Sequence, residues 1–286
     1  MLQMVCGKLL RTIHPMAETT FNATIIQNDF LNPDLFIMKI KPDGWDIPDF
    51  KPGQYCAIGL PASLPRTADA GPDPASVQPD GWIKRAYSIA SPPDDKKALE
   101  FYIALVKEGA LTPRLANLRP GSKIWVSNKF TGVFTADELP EDCNIILYAT
   151  GTGLAPFISM LQTDLMRPKR RIALLHGVRR PWDLGYREEL EALQRFSRSK
   201  FLYIPVMSRP TLAGTAWSGR TGYVQDVWQS KDLESMWETK LTPQNTHVFL
   251  CGNPAMIEAV TKVLQTEGFI EHSRRAPGQI HVEKYW

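Results

Sequence analysis

Short apolar-rich runs, separated by turn residues, make up the first half of the chain. Runs of this length between Pro- and Gly-containing turns, such as those at 51–53 and 119–121, predict β-strands. Six segments have this character: 21–26, 35–40, 54–58, 86–90, 99–105 and 123–126. One short helix is predicted at 113–118. Six short strands with little helix predict a closed antiparallel barrel over residues 20–141.

From about residue 142 the apolar pattern changes. Residues 144–149 form a continuous apolar run, which is typical of a strand buried on both faces. Further strands are predicted at 171–176, 201–207 and 247–251, and helices from Pro156 and over 186–196 and 254–267. Because strand and helix alternate, residues 142–286 are predicted to form an α/β domain with a parallel sheet.

The segment Pro61–Ile83 interrupts the strand pattern of the first domain. It contains five prolines, four alanines, three aspartates and two glycines. Proline fixes φ and lacks an amide hydrogen, so the segment is predicted to be neither strand nor helix. We interpret it as a solvated loop inserted between two barrel strands, with a partner-binding role as the alternative.

Composition and charge place the chain among ordinary globular proteins. Its 286 residues suffice for two cores, and 43% are hydrophobic and 22% charged. No window approaches the roughly 18 consecutive apolar residues of a membrane helix, so no integral membrane segment is predicted. A formal net charge of +3 is too small to indicate a nucleic-acid partner, although it is compatible with a locally basic face for an acidic partner.

The cysteines indicate reduced thiols and a cytoplasmic location. Cys6, Cys56, Cys143 and Cys251 form no CxxC pair, so neither a zinc site nor an iron–sulfur cluster is predicted. Any iron–sulfur electron carrier is therefore expected to be a separate protein. Residues 1–19 are predicted to be a disordered leader, and Met16 is favoured over Met1 as the true start.

A glycine turn follows the first strand of the α/β half. Thr150-Gly151-Thr152-Gly153 comes directly before a predicted helix that has Pro156 near its first position. Glycines let a backbone approach a pyrophosphate closely, and a helix start supplies N–H donors. The pattern is GxGxxP rather than GxGxxG, so a tight turn without a ligand is an equal alternative.

Arginines follow the ends of the next strands. Arg179 follows the second strand, Ser208-Arg209 follows the third, and Arg220 lies after a short loop. A site for NAD would place an acidic residue at the end of the second strand. Guanidinium groups suit a phosphate dianion, so the pattern favours NADP, with ordinary surface arginines as the alternative.

Two motifs offer groups for a flavin and its reaction partner. Arg85-Ala86-Tyr87-Ser88 supplies a cation for phosphates, a ring that can stack on a flavin, and a hydroxyl for the flavin nitrogen that exchanges hydride. Simple strand alternation is an alternative explanation of Tyr87. Cys251 ends a late strand, where ligands of open α/β sheets bind, although a buried core cysteine is also possible.

Two further segments are compatible with a flavin. Gly109-Ala110-Leu111-Thr112 precedes the predicted short helix, where backbone donors could meet a second phosphate. The chain ends on Tyr285 and Trp286, and two terminal aromatic residues suggest packing against a planar group.

In this order the motifs resemble those of bacterial ferredoxin/flavodoxin–NADP reductases. The resemblance covers about residues 20–286 and rests on six motifs. These are Arg-x-Tyr-Ser at 85–88, Gly-x-Leu-Thr at 109–112, Gly-Thr-Gly at 151–153, Ser-Arg at 208–209, Cys-Gly-Asn-Pro-x-Met at 251–256 and Glu-x-Tyr at 283–285. It implies an FAD-binding antiparallel barrel followed by an NADP-binding α/β domain, with the flavin at their junction. Trp286 extends past the tyrosine at which plant-type members end, and segment 61–83 is outside the common core.

The resemblance also implies roles for the matching residues. FAD would be held by Arg85, Ala86, Tyr87, Ser88, Gly109, Leu111 and Thr112, with Tyr285 over the second flavin face and Trp286 at the adenine. NADP(H) would be held by Thr150, Gly151, Thr152 and Gly153, with its 2′-phosphate on Ser208, Arg209 and Arg220, supported by Arg179. The catalytic residues would be Ser88 beside flavin N5, Cys251 facing the nicotinamide, Glu283 relaying protons or orienting that ring, and Tyr285, which the nicotinamide displaces.

The implied activity is hydride transfer between NADP(H) and FAD, coupled to single-electron transfer with ferredoxin or flavodoxin. The protein is expected to act as a cytoplasmic monomer. The alternatives are a reductase of the same superfamily with another acceptor, such as a free flavin or a haem protein, and a non-catalytic electron-relay subunit of a larger complex. A non-flavin α/β binding module would leave Arg85, Tyr87 and Ser88 without a purpose.

Overall fold

The structure is a computed structural model that describes residues 19–163, 165–166, 169–197, 201–210 and 217–284. Most of the predicted leader, residues 1–18, lies outside these residues. The same is true of Tyr285 and Trp286, so the structure does not address their predicted contacts with a flavin.

The first domain is an antiparallel six-stranded sheet. Its strands are β1 (Ala23–Asn32), β2 (Leu35–Pro42), β3 (Tyr55–Pro61), β4 (Trp82–Ser88), β5 (Leu99–Ala104) and β6 (Lys123–Val126), in the order β4-β3-β6-β1-β2-β5. The two outer strands approach each other where the Ala90 amide donates to the Glu100 carbonyl, 2.8 Å away. Apolar side chains such as Phe36, Ile58 and Phe101 fill the interior, and Leu115 of the short helix α1 (Thr112–Ala116) joins them.

The second domain is a parallel six-stranded sheet with helices on both faces. Its strands are β7 (Asn144–Thr150), β8 (Arg171–Val178), β9 (Phe201–Met207), β10 (Arg220–Thr221), β11 (Thr246–Cys251) and β12 (Ile280–Glu283), in the order β10-β9-β8-β7-β11-β12. The helices are α2 (Ala155–Leu161), α3 (Arg187–Phe196), α4 (Asp226–Gln229), α5 (Asp232–Trp237) and α6 (Pro254–Thr266). The first two pack on one face of the sheet and the last three on the other. Because the strands are parallel, their carboxyl ends share one edge.

The predicted fold class is confirmed, and the strands of the second domain lie close to their predicted ranges. In the first domain, β1 continues six residues past its predicted end at 26, to Asn32. The predicted domain boundary at 141/142 falls in the connection between β6 and β7. Among the strands and α-helices of the described residues, four short ones were not predicted: β10, β12, α4 and α5. Each is too short for a hydrophobic period to repeat.

A loop joins two barrel strands as predicted, but it is shorter at both ends than the predicted segment Pro61–Ile83, and its surroundings differ. Pro61 is the last residue of β3 and pairs with Trp82 of β4, so the connection is 62–81. A proline is tolerated there because the strand ends at that residue. The connection is not simply solvated, since it packs against residues 107–114. The physical reason is that the buried Arg114 guanidinium needs acceptors, and Asp73 supplies two of them.

The two domains share a core and several hydrogen bonds. Leu35 and Tyr102 of the first domain pack in one cluster with Phe157 of the second. The Tyr186 hydroxyl donates to Glu100 Oε1 at 2.7 Å. The Ser159 hydroxyl, fully buried, donates to the Ser91 carbonyl at 2.8 Å. Any site at the domain junction is therefore held by a packed interface.

Candidate functional site

Three side chains from both domains meet where β4, β11 and β12 end. Ser88 is the last residue of β4, and Cys251 and Glu283 lie opposite each other in the β11–β12 register. Ser88 Oγ donates to Glu283 Oε2 at 3.1 Å, and Cys251 Sγ lies 4.0 Å from the same oxygen. Ser88 is 5% exposed and Cys251 is fully buried. The structure thus brings together the predicted catalytic residues Ser88, Cys251 and Glu283.

This cluster has the groups needed to handle a proton beside a redox centre. An ionised carboxylate only accepts hydrogen bonds, whereas a hydroxyl both donates and accepts. With its proton directed at Glu283, the Ser88 oxygen keeps lone pairs for another donor. The Glu283 carboxylate in turn can take up or release a proton at Oε2. The Cys251 side chain beside them is fully buried.

The turns that follow β7 and β11 interlock through two glycines. A Cβ on Gly153 would lie 2.3 Å from the Cys251 carbonyl oxygen, and a Cβ on Gly252 would lie 2.2 Å from Thr150 Oγ1. Gly252 also has a φ of +129°, which side chains rarely adopt. Thr150 Oγ1 accepts a hydrogen bond from the Asn253 amide at 2.7 Å. The Gly-Thr-Gly and Cys-Gly-Asn-Pro motifs therefore form one packed unit.

A cavity of about 1140 Å³ opens at the carboxyl edge of the parallel sheet. Seven of the predicted nucleotide-binding residues line it: Thr150, Gly151, Thr152, Gly153, Arg179, Ser208 and Arg209. The first domain contributes Leu35 and residues 104–108 to its wall. Gly151 has a φ of +54°, which opens the turn after β7 toward the cavity. The volume is sufficient for a dinucleotide.

Guanidinium groups concentrate on one side of this cavity. Arg179, Arg180 and Arg209 line it, and the Arg209 amide donates to the Arg179 carbonyl at 3.2 Å, which ties the ends of β8 and β9 together. Arg180 forms an ion pair with Asp183 at 3.2 Å. The structure does not bring Arg220 into the cavity, because its guanidinium pairs with Asp232.

Sequence reasoning missed Tyr223 of the cavity wall, and it assigned no role to Arg180 or to Asn253, although Asn253 belongs to the motif at 251–256. The Tyr223 side chain is 62% exposed, and its amide donates to Asp226 Oδ2 at 2.9 Å, at the start of α4. Its ring therefore offers a stacking surface at the cavity. The available signal was an aromatic residue three positions after Arg220, but the two-residue strand β10 produces no apolar run.

The first domain presents a second group of predicted residues on β4. Arg85 and Tyr87 are two positions apart and therefore share one face of the strand. The exposed Arg85 guanidinium donates to the Lys84 carbonyl at 2.8 Å and forms no ion pair with any residue that the structure describes. The half-buried Tyr87 ring meets Phe101 edge-on, with centroids 6.4 Å apart. Ala86 pairs with Ala57 of the neighbouring strand β3. Its role is therefore to place Arg85 and Tyr87 on either side of it along the strand.

The segment Gly109–Thr112 offers backbone donors. The amides of Ala110, Leu111 and Thr112 have no acceptor among the described residues. The Thr112 hydroxyl is engaged instead with Val106, accepting from its amide at 2.9 Å and donating to its carbonyl. The Leu111 side chain is only 2% exposed and packs in the barrel core, so only its backbone can contact a ligand.

Comparison with known proteins agrees with this geometry. Residues 147–262 match the family model of the oxidoreductase NAD-binding domain. The chain is 37% identical over 207 residues to a flavodoxin/ferredoxin–NADP reductase of Escherichia coli (strain K12), covering 71% of this chain and 81% of that protein. It is 31% identical over 245 residues to a ferredoxin–NADP reductase of Pseudomonas aeruginosa, covering 82% and 86%. The chain belongs to the flavodoxin/ferredoxin–NADP reductase family.

A solved structure agrees with this family assignment. A ferredoxin NADP⁺ reductase from Neisseria gonorrhoeae, determined with bound FAD and NADP, has a TM-score of 0.77 and 27% identity, covering 94% of this chain and all of that one. The predicted family and the predicted class of enzyme, an oxidoreductase, are therefore confirmed.

Two negative findings apply to the described part of the chain. None of its helices combines the length and apolarity needed to cross a bilayer. No group of three or more His, Cys, Asp or Glu side chains is placed there to hold a metal ion.

Proposed function

We propose that this reductase transfers hydride between NADP(H) and FAD, and single electrons between FAD and ferredoxin or flavodoxin. The observation that carries the proposal is the hydrogen bond from Ser88 to Glu283. It joins the end of the barrel strand β4 to the end of β12 in the nucleotide domain, 195 residues further along the chain. A site built in this way needs both domains at once, as a reaction between two cofactors does.

The groups on the barrel fit FAD. Arg85 offers a guanidinium with no ion pair among the described residues, and residues 110–112 offer three backbone amides, so the diphosphate has both charge and donors. Tyr87 would lie against one face of the isoalloxazine, and Ser88 would face its N5. When bound, FAD supplies the chemistry of exchanging a hydride and passing electrons singly.

The protein's own contribution at the reacting centre is position and proton control. Glu283 orients the Ser88 hydroxyl and holds or releases a proton at Oε2. Cys251 occupies the space beside this carboxylate, where the nicotinamide is proposed to lie. Tyr285, outside the described residues, is proposed to cover the second flavin face until the nicotinamide displaces it, and Trp286 to contact the adenine.

The cavity is proposed to hold NADP(H). The turn Thr150–Gly153 would receive the pyrophosphate, and Ser208 and Arg209, supported by Arg179, would bind the 2′-phosphate. Tyr223 would stack on the adenine. Arg220 joins this set if its ion pair with Asp232 opens, which an Arg220→Ala variant tests by its affinity for NADPH.

The physiological acceptor is proposed to be ferredoxin or flavodoxin, an acidic electron carrier that binds transiently. The names of the related reductases support this proposal, because they specify flavodoxin and ferredoxin. We also propose that the protein works as a monomer in the cytoplasm. One chain supplies both sides of the Ser88–Glu283 contact, and Cys56, Cys143 and Cys251 are buried cysteines that form no disulfide with any described residue.

The acceptor is tested by anaerobic electron transfer from NADPH through the FAD-loaded protein. Purified flavodoxin, a [2Fe–2S] ferredoxin, free flavin and a haem protein are offered separately, and reduction of each is followed by its own absorption. The proposal expects rapid reduction of flavodoxin or ferredoxin. Rapid reduction of only free flavin or the haem protein would contradict it.

A further inference from the structure

The connection 62–81 is tied to the start of α1 by a buried arginine. Arg114 is 2% exposed and donates to both carboxylate oxygens of Asp73 at 2.7 Å. The same guanidinium donates to the carbonyls of Ala62 at 2.5 Å and Ala110 at 2.7 Å. A charge this deeply buried needs an ion-pair partner and hydrogen-bond acceptors, and here the proline-rich connection supplies Asp73 and the Ala62 carbonyl.

A second arginine fastens the same two segments. Arg66 donates to Asp73 Oδ1 at 2.6 Å and to the Lys107 carbonyl at 2.9 Å. The Thr67 amide donates to the Pro113 carbonyl at 3.2 Å. Asp73 thus sits between two guanidinium groups, with Arg114 the larger influence, and they lower its pKa to about 2. The carboxylate therefore stays charged at any physiological pH.

These contacts decide which way the backbone of 107–112 points. In a trans peptide the carbonyl of one residue and the amide of the next point in opposite directions. The bond from Arg114 to the Ala110 carbonyl therefore turns the Leu111 amide away from the connection. The bond from Arg66 to the Lys107 carbonyl does the same for the Glu108 amide. The amides of residues 110–112 have no acceptor among the described residues, as a preset donor group requires.

We propose that Arg66, Asp73 and Arg114 form a clamp through which the connection 62–81 presets the segment 109–112 for the FAD diphosphate. Asp73 is then a positioning residue for FAD retention, although it contacts no cofactor itself. The inference rests on the proposed role of Gly109–Thr112 in binding FAD. It assigns the proline-rich connection a function that its composition alone does not reveal.

The test compares two acid-to-amide variants in the same connection, Asp73→Asn and Asp69→Asn. Asp69 also pairs with the segment 107–112, because its carboxylate lies 2.6 Å from the Lys107 ammonium group. Both of these side chains are largely exposed, Asp69 at 58% and Lys107 at 44%. FAD dissociation is measured in the full-length protein from the fluorescence of released FAD. Amide hydrogen exchange of residues 106–116 is measured in the FAD-free protein.

For Asp73→Asn we expect a rise in the FAD dissociation constant of about tenfold, equivalent to about 1.4 kcal/mol, together with faster exchange at 106–116. Asp69→Asn should stay within about twofold of the wild type, because exposed ion pairs contribute little. The loss of charge in Asp73→Asn would by itself strengthen FAD binding. Removing a negative charge near a diphosphate site favours FAD, so weaker binding by Asp73→Asn reports lost positioning.

Unchanged or tighter FAD binding by Asp73→Asn would overturn the clamp, as would equal loosening in both variants. A wild-type chain that binds no FAD would instead overturn the proposed function itself. If Asp73→Asn does not fold, Arg66→Lys provides the same test. This variant keeps the positive charge but loses the guanidinium that bridges Asp73 and the Lys107 carbonyl. Weaker FAD binding would support the clamp, and unchanged FAD binding would contradict it.

Discussion

At the scale of single residues, Ser88 connects the two halves of the reacting centre. Its backbone belongs to β4 and pairs with Tyr55, so the strand is held by main-chain hydrogen bonds. Its hydroxyl is the group that contacts Glu283. Removing the hydroxyl should therefore alter the chemistry while leaving the strand in place.

In Ser88→Ala, we expect NADPH to reduce the bound FAD at a rate at least about tenfold lower than in the wild type. The reason is the loss of one hydrogen bond to a charged group. FAD content and the circular dichroism spectrum should not change. Stopped-flow absorbance of the FAD-loaded variant measures the rate, with Ser127→Ala, which alters a partly exposed residue directly after β6, as the control. A wild-type rate in Ser88→Ala would remove this hydroxyl from the mechanism.

Arg209 is one of the residues proposed to bind the 2′-phosphate, which distinguishes NADP from NAD. It lines the cavity, whereas Arg195 is an exposed arginine of α3 outside it. Arg209→Ala should weaken NADPH about tenfold or more and leave NADH nearly unchanged, because only NADPH carries the 2′-phosphate. Difference-absorbance titration of both nucleotides checks this, with Arg195→Ala as the control. Equal losses for both nucleotides would show that Arg209 does not bind the phosphate.

At the scale of elements, the sequence predicts what local patterns encode. The apolar run of β7 and the glycine turn after it are visible because both lie within a dozen residues. The strand β12 is four residues long, and its importance lies in placing Glu283 opposite Cys251. This register pairs two segments that are distant in the sequence, so no local hydrophobic periodicity reveals it.

The same limit explains the other differences at the site. Arg220 follows the predicted pattern of arginines after strands, but its partner Asp232 lies on another element, twelve residues further on. The contacts of Asp73 with Arg66 and Arg114 are likewise invisible in a segment whose prolines indicate only a loop. Sequence therefore predicts which groups are available, and tertiary structure decides which of them meet.

A histidine cluster links β11 and β12 at the end of the sheet away from Cys251. His247 Nδ1 lies 3.1 Å from His281 Nε2, and His281 stacks on Phe249 with centroids 4.2 Å apart. Burial, together with the neighbouring His247 and His272, lowers the pKa of His281 to about 3. Burial also lowers the pKa of His247, with smaller effects from His272 and Arg170.

Because the native state holds His281 neutral, its contribution to stability is complete above about pH 6.5, where the unfolded histidine is also neutral. It is lost as the pH falls from there toward 3. The urea midpoint of the wild type should therefore drop between pH 7.5 and pH 5. His281→Phe, which retains an aromatic ring against Phe249, should show a smaller drop. An equal drop in both proteins would contradict the assignment.

At the scale of the whole molecule, the contact of Ser88 with Glu283 exists only while the two domains stay together. Tyr186, at the start of α3, donates to Glu100 of β5, which also pairs with Lys39 at 3.0 Å. The Ser159–Ser91 hydrogen bond holds the segment that follows Ser88 to α2. These contacts hold the barrel domain in place against the α/β domain.

Tyr186→Phe removes one hydrogen bond to a carboxylate across this interface. We expect the free energy of unfolding to fall by about 1.5–3 kcal/mol. Reduction by NADPH should slow while FAD content is unchanged, because the barrel itself is intact. Chemical denaturation and stopped-flow absorbance on the same preparation measure the two effects. If Tyr186→Phe instead bound less FAD, while NADPH reduced the remaining bound FAD at the wild-type rate, then Tyr186 would act on the barrel rather than on the interface.

The central claim is that NADP(H) and FAD react at the junction of the two domains, with Ser88, Cys251 and Glu283 between them. The most direct test is anaerobic stopped-flow absorbance of the FAD-loaded protein mixed with one equivalent of NADPH or, separately, of NADH. The flavin absorption should bleach quickly with NADPH and much more slowly with NADH. A protein that takes up no FAD, or one that NADPH and NADH reduce equally fast, would contradict it.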